Sequence, residues 1–198
     1  IAHVSSLLTL EHLERAKNRG IKISAEVTPH HLVFTHDSLL GKRGFNFGWP
    51  DIDKRSSLFR VNPPLRDKMD TEALIDALKS GLIDIVATDH APHALEDKQG
   101  RFDNAIPGIS GIETAFSLLF TAIVATGKMN IGELIEKFTV KPASLLPDKY
   151  LKDGLGTLVK GGVADIVIID PTTEWVVKSE KFVSKGRNTP LDGCNLKG

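Results

Sequence analysis

The most constraining feature of this sequence is an apolar run that ends in a cluster of chemically active side chains. Residues 83–87 predict a buried strand, and residues 88–93 follow it as Thr-Asp-His-Ala-Pro-His. An acid and two histidines therefore stand where a strand gives way to a loop, which is where barrels of alternating strands and helices carry their chemistry. A carboxylate beside imidazoles suits a divalent metal and proton transfer to water. A polar turn that only caps a helix would need neither the second histidine nor the proline.

Composition narrows the class of protein. The chain of 198 residues carries 25 basic and 25 acidic side chains, and this balance argues against nucleic acid or an anionic membrane as the main partner. The single cysteine, Cys194, excludes an internal disulfide and fits a cytoplasmic location. No apolar run reaches about 18 residues, so no membrane span is predicted. Because Ile1 already reads as the interior of a strand, we expect an upstream segment to precede it.

The first 150 residues alternate predicted strands and helices, as in a parallel α/β barrel. Strands are predicted at 1–4, 21–27, 59–61 and 83–87, and helices at 8–19, 71–80, 112–126, 131–138 and from about Pro142. Two long glycine-bearing segments, 39–57 and 94–111, are predicted to be loops on the side of the barrel that carries the chemistry.

The pattern changes after about residue 151. Glycines punctuate short segments, and 164–169 and 175–177 read as strands without a crossover helix between them. The sequence therefore predicts a barrel portion over 1–150 and a small β segment over 151–198. Two or three strands are marginal by themselves, so we expect the upstream segment to supply their partners.

Histidines follow the other predicted strands as well. His3 ends the first strand, and His30 and His31 end the second. Ligand-type residues on several strand ends are what a barrel metal site requires, although a single histidine there is more often structural. Spacing alone does not choose the ligands among them.

Six motifs occur in order along the chain, at residues 3–6, 25–32, 62–66, 87–93, 108–114 and 156–165. This set resembles class I dihydroorotases, a branch of the amidohydrolase superfamily, over nearly the whole length. The resemblance implies an α/β fold, the C-terminal part of a (β/α)8 TIM-type barrel with a small β-sandwich appendage. It also implies a zinc centre, usually binuclear, and the interconversion of N-carbamoyl-L-aspartate and L-dihydroorotate in pyrimidine biosynthesis.

The resemblance also implies roles for particular residues. By motif, His3 matches a zinc-ligating histidine, and Asp89 matches the aspartate that binds zinc and acts as the catalytic base. Four further positions match residues at the substrate, namely Asn62, His93, Pro107 and Gly108. The remaining histidines of these motifs are interpreted as neighbours of the site rather than ligands: His30, His31 and His90.

Some family features are absent from the 198 residues. The His-x-His-Arg motif, the metal-bridging lysine or aspartate and one more histidine ligand are not found. His3 and Asp89 are fewer than the three or four protein ligands that zinc normally uses. We therefore expect the other ligands upstream and the isolated chain to be inactive unless another polypeptide completes it.

Three hypotheses about function remain open from the sequence. The first is the C-terminal part of an active dihydroorotase acting on a small-molecule substrate, alone or as a homodimer. The second is a related amidohydrolase acting on allantoin or a hydantoin. The third is a non-catalytic homologue that scaffolds a partner such as aspartate transcarbamoylase. An upstream His-x-His followed by a bridging lysine or aspartate would favour an enzyme.

Overall fold

The computed structural model describes residues 1–40, 47, 56–151 and 154–198. Helices dominate those residues: α1 Leu7–Asn18, α2 Pro29–Val33, α3 Lys68–Ser80, α4 Leu95–Lys98, α5 Ala115–Leu119, α6 Ile131–Phe138 and α7 Val140–Ser144. The strands are short: β1 Glu26–Val27, β2 Ile85–Val86, β3 Glu174–Val176 and β4 Asn195–Lys197. No helix in the described ranges is long and apolar enough to cross a membrane.

Local signals set the helix ends. The Asp67 side chain accepts a hydrogen bond from the Asp70 amide at the start of α3, and Gly81 ends that helix at a φ of 84°. Glycine suits this end because the left-handed conformation has no Cβ penalty there. Helix α6 begins with a reciprocal pair in which Asn130 and Glu133 each accept from the other's backbone amide. Such boxes satisfy two amides that the helix leaves unpaired.

Parallel pairing joins the segments that carry the motifs. Strands β1 and β2 pair with Glu26 opposite Ile85 and Val27 opposite Val86. Residues 1–4 run beside β1, because the Glu26 amide donates to Ile1 O at 3.0 Å and the Val4 amide donates to Glu26 O at 2.9 Å. Two residues lie between the partners Ile1 and Val4, whereas a regular parallel ladder has one residue in that place. The extra residue bends the chain at His3, so 1–4 is not the regular strand that alternation predicts.

Other predicted elements differ in detail. The expected strand at 59–61 is preceded by a 3₁₀ turn, Ser56–Phe59, and is itself irregular. The expected helix at 112–126 is α5 followed by a π-helical turn, Phe120–Val124. The predicted loop at 94–111 contains α4 and a 3₁₀ turn, whereas the predicted loop at 39–57 lies largely outside the described residues.

The C-terminal segment shares the core of the preceding helices. Strands β3 and β4 pair antiparallel, with Trp175 opposite Leu196. Leu191 and Leu196 are fully buried in the same apolar cluster as Leu78 of α3 and Leu134 of α6. The predicted strand at 164–169 is irregular, and its apolar side chains are exposed, up to 93% at Ile168.

A buried lysine holds the 94–111 segment in place. Lys98, at the end of α4, is 1% exposed, and its ammonium donates to Arg60 O at 3.0 Å and to Ile106 O at 2.9 Å. Burial lowers the pKa of Lys98 to about 8, with a smaller contribution from the positive charge of Arg60. The ammonium therefore ties α4 to the residues just before Asn62.

Replacing this lysine tests whether the tie stabilises the fold. We expect Lys98→Met to lower the free energy of unfolding by about 1–3 kcal/mol, because two partly buried hydrogen bonds from a charged donor are lost. Urea unfolding measures the change. The matched control is Lys178→Met, since Lys178 is exposed; equal effects of the two variants would contradict the structural role of Lys98.

Candidate active site

Two backbone distortions mark the place where the strand ends converge. His3 has a φ of 51° and Asp89 a φ of 48°, and they are the two non-glycine residues with positive φ in the described part of the chain. Residues other than glycine rarely adopt this left-handed backbone conformation, and such strained residues are often found at functional sites. His3 lies in the segment that runs beside β1, and Asp89 lies shortly after β2, which pairs with β1.

The Asp89 carboxylate lies between two imidazoles. His3 Nε2 is 3.8 Å from Asp89 Oδ1, and His30 Nε2 is 3.8 Å from Asp89 Oδ2. His30 is almost fully buried, and its Nε2 has no hydrogen-bond partner in the structure. A buried imidazole nitrogen without a partner is costly unless a further group meets it.

Glu26 supports His3 from the opposite side. Its Oε1 atom lies 3.0 Å from His3 Nδ1, although the two atoms are not aligned as a hydrogen bond. A carboxylate behind a histidine leaves the other ring nitrogen free to face a metal or a substrate. Sequence reasoning did not single out Glu26, but a charged residue within the alternating segment 21–27 was a usable signal.

Burial and charge act in opposite directions on Asp89. Burial raises the pKa of the Asp89 carboxyl, and the nearby His3 partly offsets that rise. The pKa of His30 is lowered well below its usual 6.5, first by burial and then by His31 and His3. Burial thus favours the neutral form of His30, which is the form that can bind a metal, and a nearby cation would favour the ionised form of Asp89.

His31 has a different role from its neighbour His30. His31 Nε2 lies 2.9 Å from Pro63 O, which can only accept, so this nitrogen carries the hydrogen. His31 Nδ1 then accepts from the Thr28 hydroxyl at 2.7 Å. Both ring nitrogens are satisfied in the neutral form, and the ring anchors the loop that begins at Asn62.

These residues fit part of a metal site. Imidazole nitrogens and a carboxylate are ligands that Zn²⁺ and related divalent cations accept. His30 Nε2, which faces Asp89, is a buried nitrogen without a hydrogen-bond partner, as expected of a nitrogen that meets a bound cation. Nevertheless, no three His, Cys, Asp or Glu side chains within the described ranges converge as a complete site. The donor set is therefore suitable in chemistry and incomplete in number.

The four predicted substrate positions fall in two groups. Asn62 and Pro107 are exposed, and His93 is half-buried. Gly108 is buried at a φ of 137°, and a Cβ there would lie 3.0 Å from His93 Nε2 and closer still to Ala91, so only glycine fits. Its amide donates to Arg60 O at 2.9 Å and is already engaged. His93 and Gly108 thus form one wall.

The remaining histidine of the 88–93 motif serves the surrounding structure. The Ile112 amide donates to His90 Nδ1 at 3.3 Å, and His90 Nε2 lies 3.2 Å from Ser184 Oγ. His90 therefore links its loop to the turn before α5 and to the C-terminal segment.

Parallel strand ends that carry histidine and aspartate are typical of metal-dependent hydrolases built on barrels. The chain belongs to the amidohydrolase family, whose model matches residues 2–193. Amidohydrolases are generally metal-dependent enzymes. The α/β arrangement described above is a portion of that barrel fold.

Particular relatives refine this placement. The chain is 45% identical over 199 residues to a dihydroorotase of Thermoanaerobacter sp. and 40% identical over 198 residues to one of Bacillus pumilus. Each alignment covers 100% of this chain and 42% of the relative. Among solved structures, L-hydantoinase from Arthrobacter aurescens superposes with a TM-score of 0.83 at 29% identity, over 99% of this chain and 41% of that one. D-Hydantoinase from Thermus sp. superposes with a TM-score of 0.80 at 26% identity, over 99% of this chain and 41% of that one.

Neutral His31 makes stability depend on pH. Burial lowers its pKa from 6.5 to about 4, with smaller electrostatic contributions from His3 and Arg66. Between these values the unfolded chain binds a proton that the folded chain does not, so the free energy of unfolding falls as the pH falls. The full loss is about 3 kcal/mol, at 1.36 kcal/mol for each pH unit.

We expect His31→Gln to flatten part of this dependence. Urea unfolding of the variant and the parent protein between pH 7 and pH 4 measures it. His12→Gln is the matched control, because His12 is exposed on α1. A wild-type pH dependence in the His31 variant would contradict the assignment.

Proposed function

We propose that Asp89 and the residues around it form one side of the active site of a dihydroorotase. Such an enzyme interconverts N-carbamoyl-L-aspartate and L-dihydroorotate in pyrimidine biosynthesis. The observation that carries the proposal is the Asp89 carboxylate at a strand end between two imidazoles, each 3.8 Å away. The proposed substrate is inferred from relatives named dihydroorotase, which are up to 45% identical over the whole chain. Because the chain spans 42% of their length, the activity is proposed for the whole protein that contains these residues.

The proposed cofactor is zinc, bound by His3 and Asp89. The partial donor set suggests that further ligands come from elsewhere in the whole protein, and a binuclear centre would require several. When bound, the metal acidifies water and polarises the carbonyl of the ring amide. On this proposal the 198-residue chain alone does not turn over substrate.

Asp89 is the proposed catalytic base. Its carboxylate would take a proton from the attacking water and pass it to the ring nitrogen as the amide C–N bond breaks. Burial raises the pKa of the Asp89 carboxyl, whereas a bound cation would favour its ionised form, which is the form that accepts the proton. Glu26 would keep His3 in the orientation that faces Asp89, because its carboxylate contacts the other ring nitrogen.

The proposed substrate contacts are Asn62, His93, Pro107 and Gly108. Asn62 and His93 bring an amide and an imidazole, which can bind the ring and the carboxylate of the substrate and so fix the angle of attack. The Pro107–Gly108 backbone would pack against the ring. The anchoring of Pro63 by His31 and the close approach of Gly108 to His93 support these assignments.

A hydantoinase-type reaction is the second candidate. It is favoured by the superposition on L-hydantoinase from Arthrobacter aurescens, with a TM-score of 0.83. Both reactions open a cyclic amide, so Asp89 would act alike in each. Comparing dihydroorotate, hydantoin and allantoin as substrates of the metal-loaded whole protein distinguishes them; no turnover of any would favour a scaffolding role.

The proposal extends to domain organisation, partners and location. We propose that residues 1–150 are barrel and that 151–198 contribute to a small β-sandwich, since the exposed apolar run at 166–168 needs partner strands. A homodimer or a complex with aspartate transcarbamoylase is the proposed assembly of the whole protein. The presence of a single cysteine, Cys194, in the sequence supports a cytoplasmic location.

Removing the proposed base gives the first test. In the whole protein, we expect Asp89→Asn to lower kcat by about 10²–10⁴, because an amide neither accepts the proton nor supplies an anionic ligand. The dihydroorotate assay measures this loss. Asp76→Asn, on the exposed face of α3, is the matched control. Wild-type turnover by the Asp89 variant would refute its role.

Removing the His93 ring separates substrate binding from metal binding. We expect His93→Ala to raise KM about tenfold or more while the metal content of the purified protein stays unchanged. Steady-state kinetics and metal analysis are measured on the same sample, with exposed His36→Ala as the control. Loss of one metal equivalent would show instead that His93 is a ligand.

A further inference from the structure

A buried asparagine from the C-terminal segment bonds to the two segments that carry His93 and Gly108. Asn188 is 0% exposed, and its side chain makes four hydrogen bonds. Its Oδ1 accepts from the His93 amide at 2.9 Å and from the Ser110 hydroxyl at 2.6 Å. Its Nδ2 donates to Ala91 O at 3.0 Å and to Gly108 O at 3.1 Å.

The bonding capacity of this side chain is fully used. An amide oxygen accepts two hydrogen bonds and an amide nitrogen donates two, and all four are made here. The Asn188 backbone adds a fifth contact, because its carbonyl accepts from the Ser110 amide at 3.0 Å. Each partner lies on one of two segments, 91–93 or 108–110. Asn188 therefore bridges two segments that are separated in sequence.

The same two segments carry the proposed substrate contacts. The His93 ring and the Gly108 backbone approach so closely that a Cβ on Gly108 would lie 3.0 Å from His93 Nε2. The Ala91 amide also donates to Ile109 O at 3.0 Å, which joins the segments directly. Without Asn188, two carbonyls, one amide and one hydroxyl lose these partners, and the buried ones, Gly108 O and the Ser110 hydroxyl, would be left unsatisfied unless the segments separate to reach water.

The chain before Asn188 packs against the same loop. A Cβ on Gly186 would overlap Pro92 and lie 2.6 Å from Ser110 Oγ, so glycine is required for the segment to approach. Nearby, Glu113 accepts from the Val183 and Ser184 amides at 3.0 Å each. Several contacts thus hold residues 183–188 against the site.

We propose that Asn188 is a positioning residue of this active site, which sets the separation of the His93 loop from the Gly108 backbone and thereby the affinity for substrate. The effect on substrate affinity that we infer rests on the proposed function. Asn188 itself does not contact the reacting atoms; it acts through the backbone of His93 and Gly108. A shift of about 1 Å at such positions costs up to about a hundredfold in catalytic efficiency.

Two substitutions separate the two halves of the bridge. Asn188→Asp keeps the acceptor that holds the His93 amide but removes both donors and sets a carboxylate oxygen against two carbonyls. Asn188→Ala removes all four bonds. The matched control is Asn195→Ala, because Asn195 is exposed on β4 in the same C-terminal segment. Ser110→Ala, which loses one bond, provides a mild variant if the others fold poorly.

The kinetic test is made on the whole protein, with KM and kcat for dihydroorotate, metal content and thermal midpoint measured together. We expect Asn188→Ala and Asn188→Asp to raise KM about tenfold to a hundredfold with unchanged metal content, and Asn195→Ala to match the wild type. A purely structural role would lower the thermal midpoint and the amount of active protein while leaving KM unchanged, and that result would overturn the proposal.

Amide hydrogen exchange provides a readout that does not depend on the substrate. We expect the His93 amide to exchange faster in Asn188→Ala and to stay protected in Asn188→Asp. If the wild-type protein does not hydrolyse dihydroorotate, the proposed function fails, and this exchange pattern alone decides the positioning role. Wild-type exchange at His93 in the alanine variant would overturn it.

Discussion

The parallel pairing of β1 with its two neighbouring segments is the constraint on which the candidate site depends. Val27 pairs with Val86, and the Val4 amide bonds to Glu26 O. Because parallel segments end at the same edge, the residues that follow each of them meet without any direct bond between their loops. Helix α6 packs against β2, and the C-terminal strand β4 packs against α5 and the π-helical turn that follows it.

The site combines a strained backbone with ionisable groups whose charged forms are disfavoured by burial. His3 and Asp89 both have left-handed backbone conformations, and burial disfavours the charged forms of Asp89 and His30. Such strain persists only where surrounding contacts over-determine the geometry. Neutral His31 provides one of these contacts at Pro63, and Asn188 provides another between the 91–93 and 108–110 segments. The rigidity of the site therefore comes from buried polar contacts that surround the proposed ligands.

Local signals were sufficient to predict several elements. Helix α6 occupies residues 131–138 as its periodicity predicts, because the Asn130 and Glu133 cap lies within one turn of its start. Helix α3 starts three residues earlier than predicted, at the Asp67 cap. The position of Asp89 just beyond a buried strand also follows from the sequence, since an apolar run followed by Asp and His is a local pattern. Strand lengths were overestimated, because alternation does not reveal the extra residue that bends the chain at His3.

The roles of individual polar residues were decided by tertiary contacts. His30 and His31 are adjacent in sequence and share one motif, yet one faces Asp89 and the other is satisfied by Thr28 and Pro63. Asn188 reaches partners 78 to 97 residues away, which no local pattern encodes. The sequence by itself thus determined the barrel class and the strand-end chemistry through periodicity and local motifs. Only the folded chain decided which buried donors and acceptors meet, because those pairings join segments distant in sequence.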